Sequence, residues 1–250
     1  MVRIRDLTLG YGGEPILERI NLEVKAGEFV SLIGPSGSGK TSILRAITGL
    51  LQQQSGRVER DVALNDIGFL FQDDALLPWR TARQNVSLGL RIRGIALKQA
   101  EDKAEQWLAL LGLEGFGERY PRQLSGGQRK RVAIAQVLAL QPKLLLMDEP
   151  FASLDAIVRT RITQEVVSWV ERERMTVLLV THDLEEAISD SDTVYVLSQG
   201  PRAGIRARHE VHIGRPRNVL EARRHPVFGS LVRALWDELS GEQTPVDYAL

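Results

Sequence analysis

Residues 34 to 41 run Gly34-Pro35-Ser36-Gly37-Ser38-Gly39-Lys40-Thr41, and this spacing of three glycines ahead of a lysine and a hydroxyl residue suits the holding of phosphate. The glycines let the backbone enter conformations closed to residues with a side chain, so successive N–H groups can converge on anionic oxygens at a helix N-terminus. Lys40 adds a full positive charge for β and γ phosphates, and the Thr41 hydroxyl is placed to ligate Mg²⁺. The expected nucleotide-binding set is the loop with the start of its helix: Gly34, Pro35, Ser36, Gly37, Ser38, Gly39, Lys40, Thr41 and Ser42.

A second stretch, Leu144-Leu145-Leu146-Met147-Asp148-Glu149-Pro150, is an apolar run that ends in two carboxylates. Such an arrangement brings acids to the rim of a parallel sheet beside a bound nucleotide. Asp148 would hold Mg²⁺, and Glu149, one residue further on, would take a proton from the attacking water or orient it. The same two acids also fit a capping role before a turn at Pro150, and the residues alone leave both readings open. His182 ends another apolar run, Val177 to Thr181, where a lone histidine is more often structural than catalytic. His209 and His212 lie in a stretch that reads as extended, so their side chains point to opposite faces and make no metal site. The arginines between Arg202 and Arg224 are diluted by Glu210 and Glu221 and read as a solvated face, with no nucleic-acid partner.

These groups need positions, and the flanking pattern supplies them. Phe29 to Ile33 is a buried-strand pattern directly before the phosphate loop, and Thr41 to Ile47 begins a helical one directly after it. Val2 to Leu9 and Ile20 to Val24 are strand-like, broken by Gly12-Gly13 and Gly27, and Ile67 to Phe71 is a further strand ending at Gln72. From about 73 to 140 the pattern turns helical: Ala104, Trp107, Leu108 and Leu111 share one helix face, and Arg129 to Leu140 is helix-prone. Strand patterns resume at Leu144 to Asp148, Val177 to Thr181 and Thr193 to Ser198, with helix-like segments at Ala156 to Glu173 and Leu184 to Ser189 between them. Near the end Phe228, Leu231, Val232, Leu235, Trp236 and Leu239 form an apolar helical stripe that either packs on the core or serves a partner.

Composition bounds the function. The 250 residues are 43% hydrophobic and 26% charged, an ordinary globular balance. Lysine plus arginine equals aspartate plus glutamate at 32 each, which argues against a chain whose work is to coat nucleic acid or an acidic membrane. The absence of cysteine removes disulfides, thiol nucleophiles and thiolate metal sites. Arg3, Arg5 and Asp6 interrupt the apolar residues of the N-terminus, so no export signal is expected, and no apolar run approaches the ~18 residues of a membrane span. Membrane association is expected through a partner.

The stretch Leu124-Ser125-Gly126-Gly127-Gln128, taken with the residues above in their order, resembles the nucleotide-binding subunits of ATP-binding cassette (ABC) transporters from about Val2 to Leu239. The resemblance implies an α/β fold: a P-loop NTPase (RecA-like) core over 1–72 and 141–210, with an N-terminal antiparallel β subdomain, a helical subdomain inserted over about 73–140, a C-terminal helix over about 226–240 and a loose tail over 241–250. It implies a role for Tyr11 in stacking on adenine and for Gln72 in contacting Mg²⁺ and the attacking water. It likewise makes Asp148 the Mg²⁺ carboxylate, Glu149 the catalytic base and His182 the γ-phosphate contact. Ser125, Gly126, Gly127 and Gln128 form the signature, and Ser153-Leu154-Asp155 the loop that crosses a head-to-tail homodimer clamping two ATP molecules. Gln136 departs from the arginine often found in the helix after the signature, which touches a surface salt bridge and not the ATP chemistry.

Leu76-Leu77-Pro78-Trp79-Arg80-Thr81, Tyr195-Val196-Leu197-Ser198 and Gly214-Arg215-Pro216-Arg217 are similar to the subfamily that energises import of nitrate, taurine, alkanesulfonates and related solutes. The implied partners are integral-membrane permease subunits and, indirectly, a solute-binding protein, with the chain peripheral on the cytoplasmic face of the inner membrane. Leu76, Leu77, Pro78 and Trp79 form an apolar cluster that either docks on the permease or packs inside the helical region. An exporter or lipid-transporter ATPase is the alternative, and a soluble non-transport cassette protein is a third reading. Neither a second phosphate loop nor heptads support the third.

Overall fold

A computed structural model describes residues 1–152 and 154–241; Ser153 and the expected tail from residue 242 onward lie outside the described residues. Along the chain the elements are β1 (Val2–Tyr11), β2 (Glu14–Val24), β3 (Phe29–Ile33), α1 (Lys40–Thr48), β4 (Ser55–Arg60), β5 (Ile67–Leu70), α2 (Ala82–Ile92), α3 (Leu97–Leu110), α4 (Gly126–Leu138) and β6 (Leu144–Asp148). They continue with α5 (Ala156–Arg172), β7 (Thr176–Val180), α6 (Leu184–Asp190), β8 (Thr193–Leu197), β9 (Ile205–Glu210), α7 (Val219–Ala222) and α8 (Pro226–Ser240). They form two compact units, one made of Met1–Asp61 with Thr176–Leu250 and the other of Val62–Met175.

In the first unit β2, β1 and β4 make an antiparallel sheet, with Ile4 opposite Leu22 and Val58. Alternation drives β1: Val2, Ile4, Leu7 and Leu9 are buried while Arg3 and Arg5 face water. β4 was not expected, because Ser55-Gly56-Arg57-Val58-Glu59-Arg60 has no apolar alternation; pairing along β1 makes it a strand. The same unit holds strands in the order β7, β3, β8, β9, with β3 parallel to both β7 and β8 and β9 antiparallel to β8. Every residue of β3, β7 and β8 is buried, so each reads as a continuous run and not as an alternation.

The C-terminal stripe packs in this unit. Phe228 and Leu235 are buried against Ile33, Ile188, Val194 and Val196, with Leu231, Val232 and Leu239 alongside. Trp236 leaves the stripe: it is 63% exposed, one residue and therefore about 100° of helix away from Leu235. The arginine segment is also less uniform than its composition suggested. Arg217 is buried and donates to Asp192 Oδ1 at 3.0 Å, while Arg215 reaches Asp192 Oδ2 at 2.5 Å, so a carboxylate across the fold draws one guanidinium out of the expected solvated face.

The second unit pairs β5 and β6 in parallel, Ile67 to Leu70 opposite Leu144 to Met147. Helices α2, α3, α4 and α5 belong to it. Trp107 of α3 meets Trp169 of α5 with ring centroids 4.3 Å apart. α2 opens on a capping box in which the Thr81 side chain accepts from the Gln84 amide and the Gln84 side chain accepts from the Thr81 amide. At Gly68 a Cβ would sit 2.7 Å from Val137 Cγ1, so the missing side chain is what lets α4 lie against β5.

Candidate functional site

The first unit carries Tyr11, the phosphate loop and His182. The loop leaves the carboxyl end of β3, which is filled on both sides by parallel neighbours, and turns into α1. Gly37 and Gly39 have φ of +78° and +91°. A Cβ on Gly39 would lie 2.7 Å from Leu17 Cγ, and one on Gly34 2.9 Å from Leu197 Cβ, so both conformation and space demand glycine. Lys40, the first residue of α1, turns its Nζ back onto the Gly34 and Pro35 carbonyls, each at 2.8 Å. Ser38 Oγ is buried and has no hydrogen-bond partner among the described residues. A buried hydroxyl left unsatisfied in a loop of this composition fits a ligand oxygen.

Tyr11 ends β1 beside the first turn of α1. Its hydroxyl lies 3.5 Å from Ser42 Oγ and accepts from Arg45 Nη1 at 3.5 Å, leaving the ring half exposed. The hydrogen bond to Ser42 lowers the Tyr11 pKa, partial burial opposes it and Arg45 adds to the lowering. His182 is exposed two residues beyond β7, the strand next to β3, and the Thr181 amide still bonds the Leu32 carbonyl at 3.3 Å. His182 and the phosphate loop therefore leave the carboxyl ends of adjacent parallel strands, where open α/β sheets bind ligands.

The second unit repeats that arrangement with other chemistry. Gln72 follows β5 and the acids end β6, again neighbouring parallel strands in register. Gln72 is exposed and Asp148 is buried at the strand end. Glu149 is half-buried and held at φ +44°, a left-handed conformation uncommon for a glutamate.

The signature sits on a helix N-terminus. Ser125 caps α4, its Oγ accepting from the Gln128 amide at 3.3 Å while Gln128 Oε1 accepts from the Ser125 amide at 2.9 Å. Gly126 and Gly127 form the first turn with no side chain over their amides, an arrangement suited to an anion. Asp155 caps α5 through its bond from the Val158 amide at 3.0 Å, and a Cβ on Gly127 would lie 3.5 Å from Leu154.

Residues 17–152 match the ABC transporter family. The chain belongs to that family. Among ABC transporter relatives, it is 44% identical over 208 residues to the taurine import ATP-binding protein TauB of Escherichia coli, covering 80% of this chain and 81% of TauB. It is 44% identical over 195 residues to the nitrate import ATP-binding protein NrtD of Synechocystis sp., covering 76% of this chain and 73% of NrtD. The dimeric post-hydrolysis structure of the ATP-binding cassette MJ0796 bound to ADP and Pi superimposes with a TM-score of 0.77 at 33% identity, over 86% of this chain and 100% of that one. The fold is thus the α/β cassette with an antiparallel β subdomain and a helical part, and the chain is an ATP-binding, ATP-hydrolysing component of an ABC transporter.

Two groups near these ABC transporter motifs were not singled out by their sequence. Lys130, entirely buried, donates to the Phe71 and Gln72 carbonyls, and Asn85, also buried, holds the loop before α2. No short motif marks either one, since each partner is set by packing and not by spacing.

Proposed function

We propose that the chain hydrolyses MgATP to drive import of a small solute of the taurine, sulfonate or nitrate class through a separate permease. The observation that carries the ATP chemistry is the recurrence of functional groups at adjacent strand ends: the phosphate loop with His182, and Gln72 with Asp148 and Glu149. Two of the relatives, ATP-binding proteins of taurine import and of nitrate import, support the direction and class of transport.

In this reading Tyr11 stacks on the base, the amides of Gly34 to Thr41 and the Lys40 ammonium bind the phosphates, and Ser42 steadies Tyr11. Thr41, Gln72 and Asp148 offer a hydroxyl, an amide oxygen and a carboxylate, the hard oxygen set that suits Mg²⁺. The ion would neutralise charge developing on the phosphates. Glu149 takes the proton of the attacking water, Gln72 orients that water and His182 contacts the γ-phosphate. Ser125, Gly126, Gly127, Gln128 and Asp155 serve the second nucleotide of a head-to-tail homodimer.

The permease docks on residues 76–79. Trp79 is 70% exposed, Pro78 is exposed and Leu76 and Leu77 are half-buried, which supports a docking role over packing of Trp79 inside the helical region. Asn85 makes its loop a fixed platform: its Oδ1 accepts from the Leu77 amide at 2.8 Å, and its Nδ2 donates to the Leu77, Arg80 and Thr81 carbonyls. Among the described residues no helix is long and apolar enough to cross a membrane. In this reading the chain is held at the cytoplasmic face of the inner membrane by the permease.

Glu149→Gln tests the assignment. Losing the general base lowers turnover ~10²–10⁴-fold while ATP binding persists. Phosphate release near the parent rate, measured in the assembled transporter, removes Glu149 from the role of base.

A further inference from the structure

Gln72 lies outside regular structure, immediately past β5, and its side chain is exposed, yet the chemistry proposed above needs it at a defined place. A side chain reaching from an exposed segment is only as well positioned as the backbone that bears it. The structure supplies an anchor from an element distant in sequence. Lys130, one turn into α4 and 0% exposed, donates from Nζ to the Phe71 carbonyl at 2.9 Å and to the Gln72 carbonyl at 2.8 Å. Its neighbour Arg129 adds a bond from Nε to Asp74 Oδ2 at 3.2 Å and another from Nη1 to the Leu124 carbonyl at 2.9 Å. Two consecutive cations of α4 thus grip residues 71 to 74, and Arg129 ties that grip to the residue preceding Ser125.

We infer that Lys130 is a positioning residue for ATP hydrolysis: it clamps the Gln72 backbone to the helix that starts at Ser125, so that the signature and the glutamine move as one body. The inference rests on the role proposed above for Gln72. A buried ammonium is retained at a desolvation cost, and here carbonyl dipoles and nearby carboxylates compensate for it. Burial lowers the Lys130 pKa, while Asp74, Asp73 and Asp148 favour the charged form. The geometry itself is the pair of bonds from Lys130 Nζ to the Phe71 and Gln72 carbonyls. A lysine needed only to fill space could be replaced by methionine of similar length, whereas one that orders a segment could not.

The test compares the full-length parent, Lys130→Met, Lys130→Gln, Gln72→Ala and the Lys130→Met/Gln72→Ala double variant. Deuterium uptake of peptides covering residues 70–77 should rise at least ~tenfold in rate in Lys130→Met, since two carbonyl anchors are lost, and should stay near the parent rate in Lys130→Gln, which keeps an N–H donor. kcat should fall ~tenfold in Lys130→Met with KM for ATP within about twofold, and the fall should vanish when Gln72 is already alanine, as it must if one residue acts through the other. Unchanged exchange at 70–77 in a folded Lys130→Met overturns the inference whatever Gln72 does. A kcat loss that persists in the Gln72→Ala background overturns it as well. Parental turnover in Gln72→Ala alone overturns the role of Gln72 instead, leaving the exchange data to judge the clamp. Should Lys130→Met fail to fold, Arg129→Ala, at a partly exposed side chain, must raise exchange around Asp74 or the clamp is refuted.

Discussion

Lys40 and Lys130 solve one chemical problem in two regions of the molecule. Each is buried, and each spends its ammonium on two consecutive carbonyls just after the carboxyl end of a parallel strand: Gly34 and Pro35 after β3, Phe71 and Gln72 after β5. They differ in reach. Lys40 bonds carbonyls 6 and 5 residues away, within its own loop, whereas Lys130 bonds carbonyls 59 and 58 residues away, across a packed interface of helix and strand. A short-range anchor sits on a loop built to admit phosphate, and on the proposed reading it exchanges carbonyls for phosphate oxygens. The long-range anchor is locked in a core with no comparable replacement, so it holds a segment in place. On these proposals, equivalent bonds serve a ligand in one region and order a backbone in the other.

The largest expected effect separates the two lysines by function. Lys40→Ala should lower turnover by about 10³-fold or more and weaken ATP affinity together with it, since on the proposed reading it deletes the charge that meets the phosphates in both ground and transition states. Lys130→Met should leave affinity nearly intact. Nucleotide titration of the two variants side by side checks this, and equal affinity losses would erase the distinction drawn here.

A third buried cation sharpens the comparison because a carboxylate holds it. Asp192 accepts from Arg217 at 3.0 Å, from Arg215 at 2.5 Å and from the Phe29 amide at 2.9 Å. Burial raises the Asp192 pKa, but the Arg215 hydrogen bond, the Phe29 amide and the two positive charges outweigh it and leave the pKa below its ordinary value. A lowered carboxylate pKa stabilises the fold above the unfolded value of about 3.9 and loses that contribution as pH falls through the folded value. Asp192→Asn should thus cost about 3 kcal/mol at neutral pH, because it removes a charged partner of buried Arg217, and the gap from the parent should narrow as pH falls below about 4. Denaturant melts at pH 7 and at pH 3 to 4 measure it. A gap that does not change with pH would mean that hydrogen bonding, and not charge, holds Arg217.

The smallest effect falls on Tyr11, proposed above to stack on the base. Tyr11→Ala should weaken ATP binding by ~1–3 kcal/mol through lost stacking while kcat changes little. Fluorescent-nucleotide titration against single-turnover rates checks it, and a drop in the rate constant with affinity unchanged would place Tyr11 in the chemistry and not at the base.

Much of the site was legible because its parts are local. The glycines at 37 and 39 require positive φ, the strands β3 and β6 are continuous apolar runs, and the capping box of Ser125 and Gln128 spans one helical turn. Spacing within a loop or a turn is a property of the chain itself, so residue type carries the geometry. The same holds for the stripe of α8, apart from Trp236, which a period alone could not assign to the outer side.

Other features came only with the tertiary structure. β4 exists because β1 offers it a paired edge, Arg217 is buried because Asp192 meets it, and Asn85 forms a platform because a loop folds back over it. The carbonyls that Lys130 binds are 58 and 59 residues away from it, brought within reach where α4 lies on β5 over the missing side chain of Gly68. By itself the sequence determined which groups could do the chemistry and on which strand ends and helix caps they stand, since those follow from backbone freedom and periodicity over a few residues. Tertiary packing decided which buried donors meet which distant acceptors, since a buried polar group must be satisfied by whatever the fold brings to it.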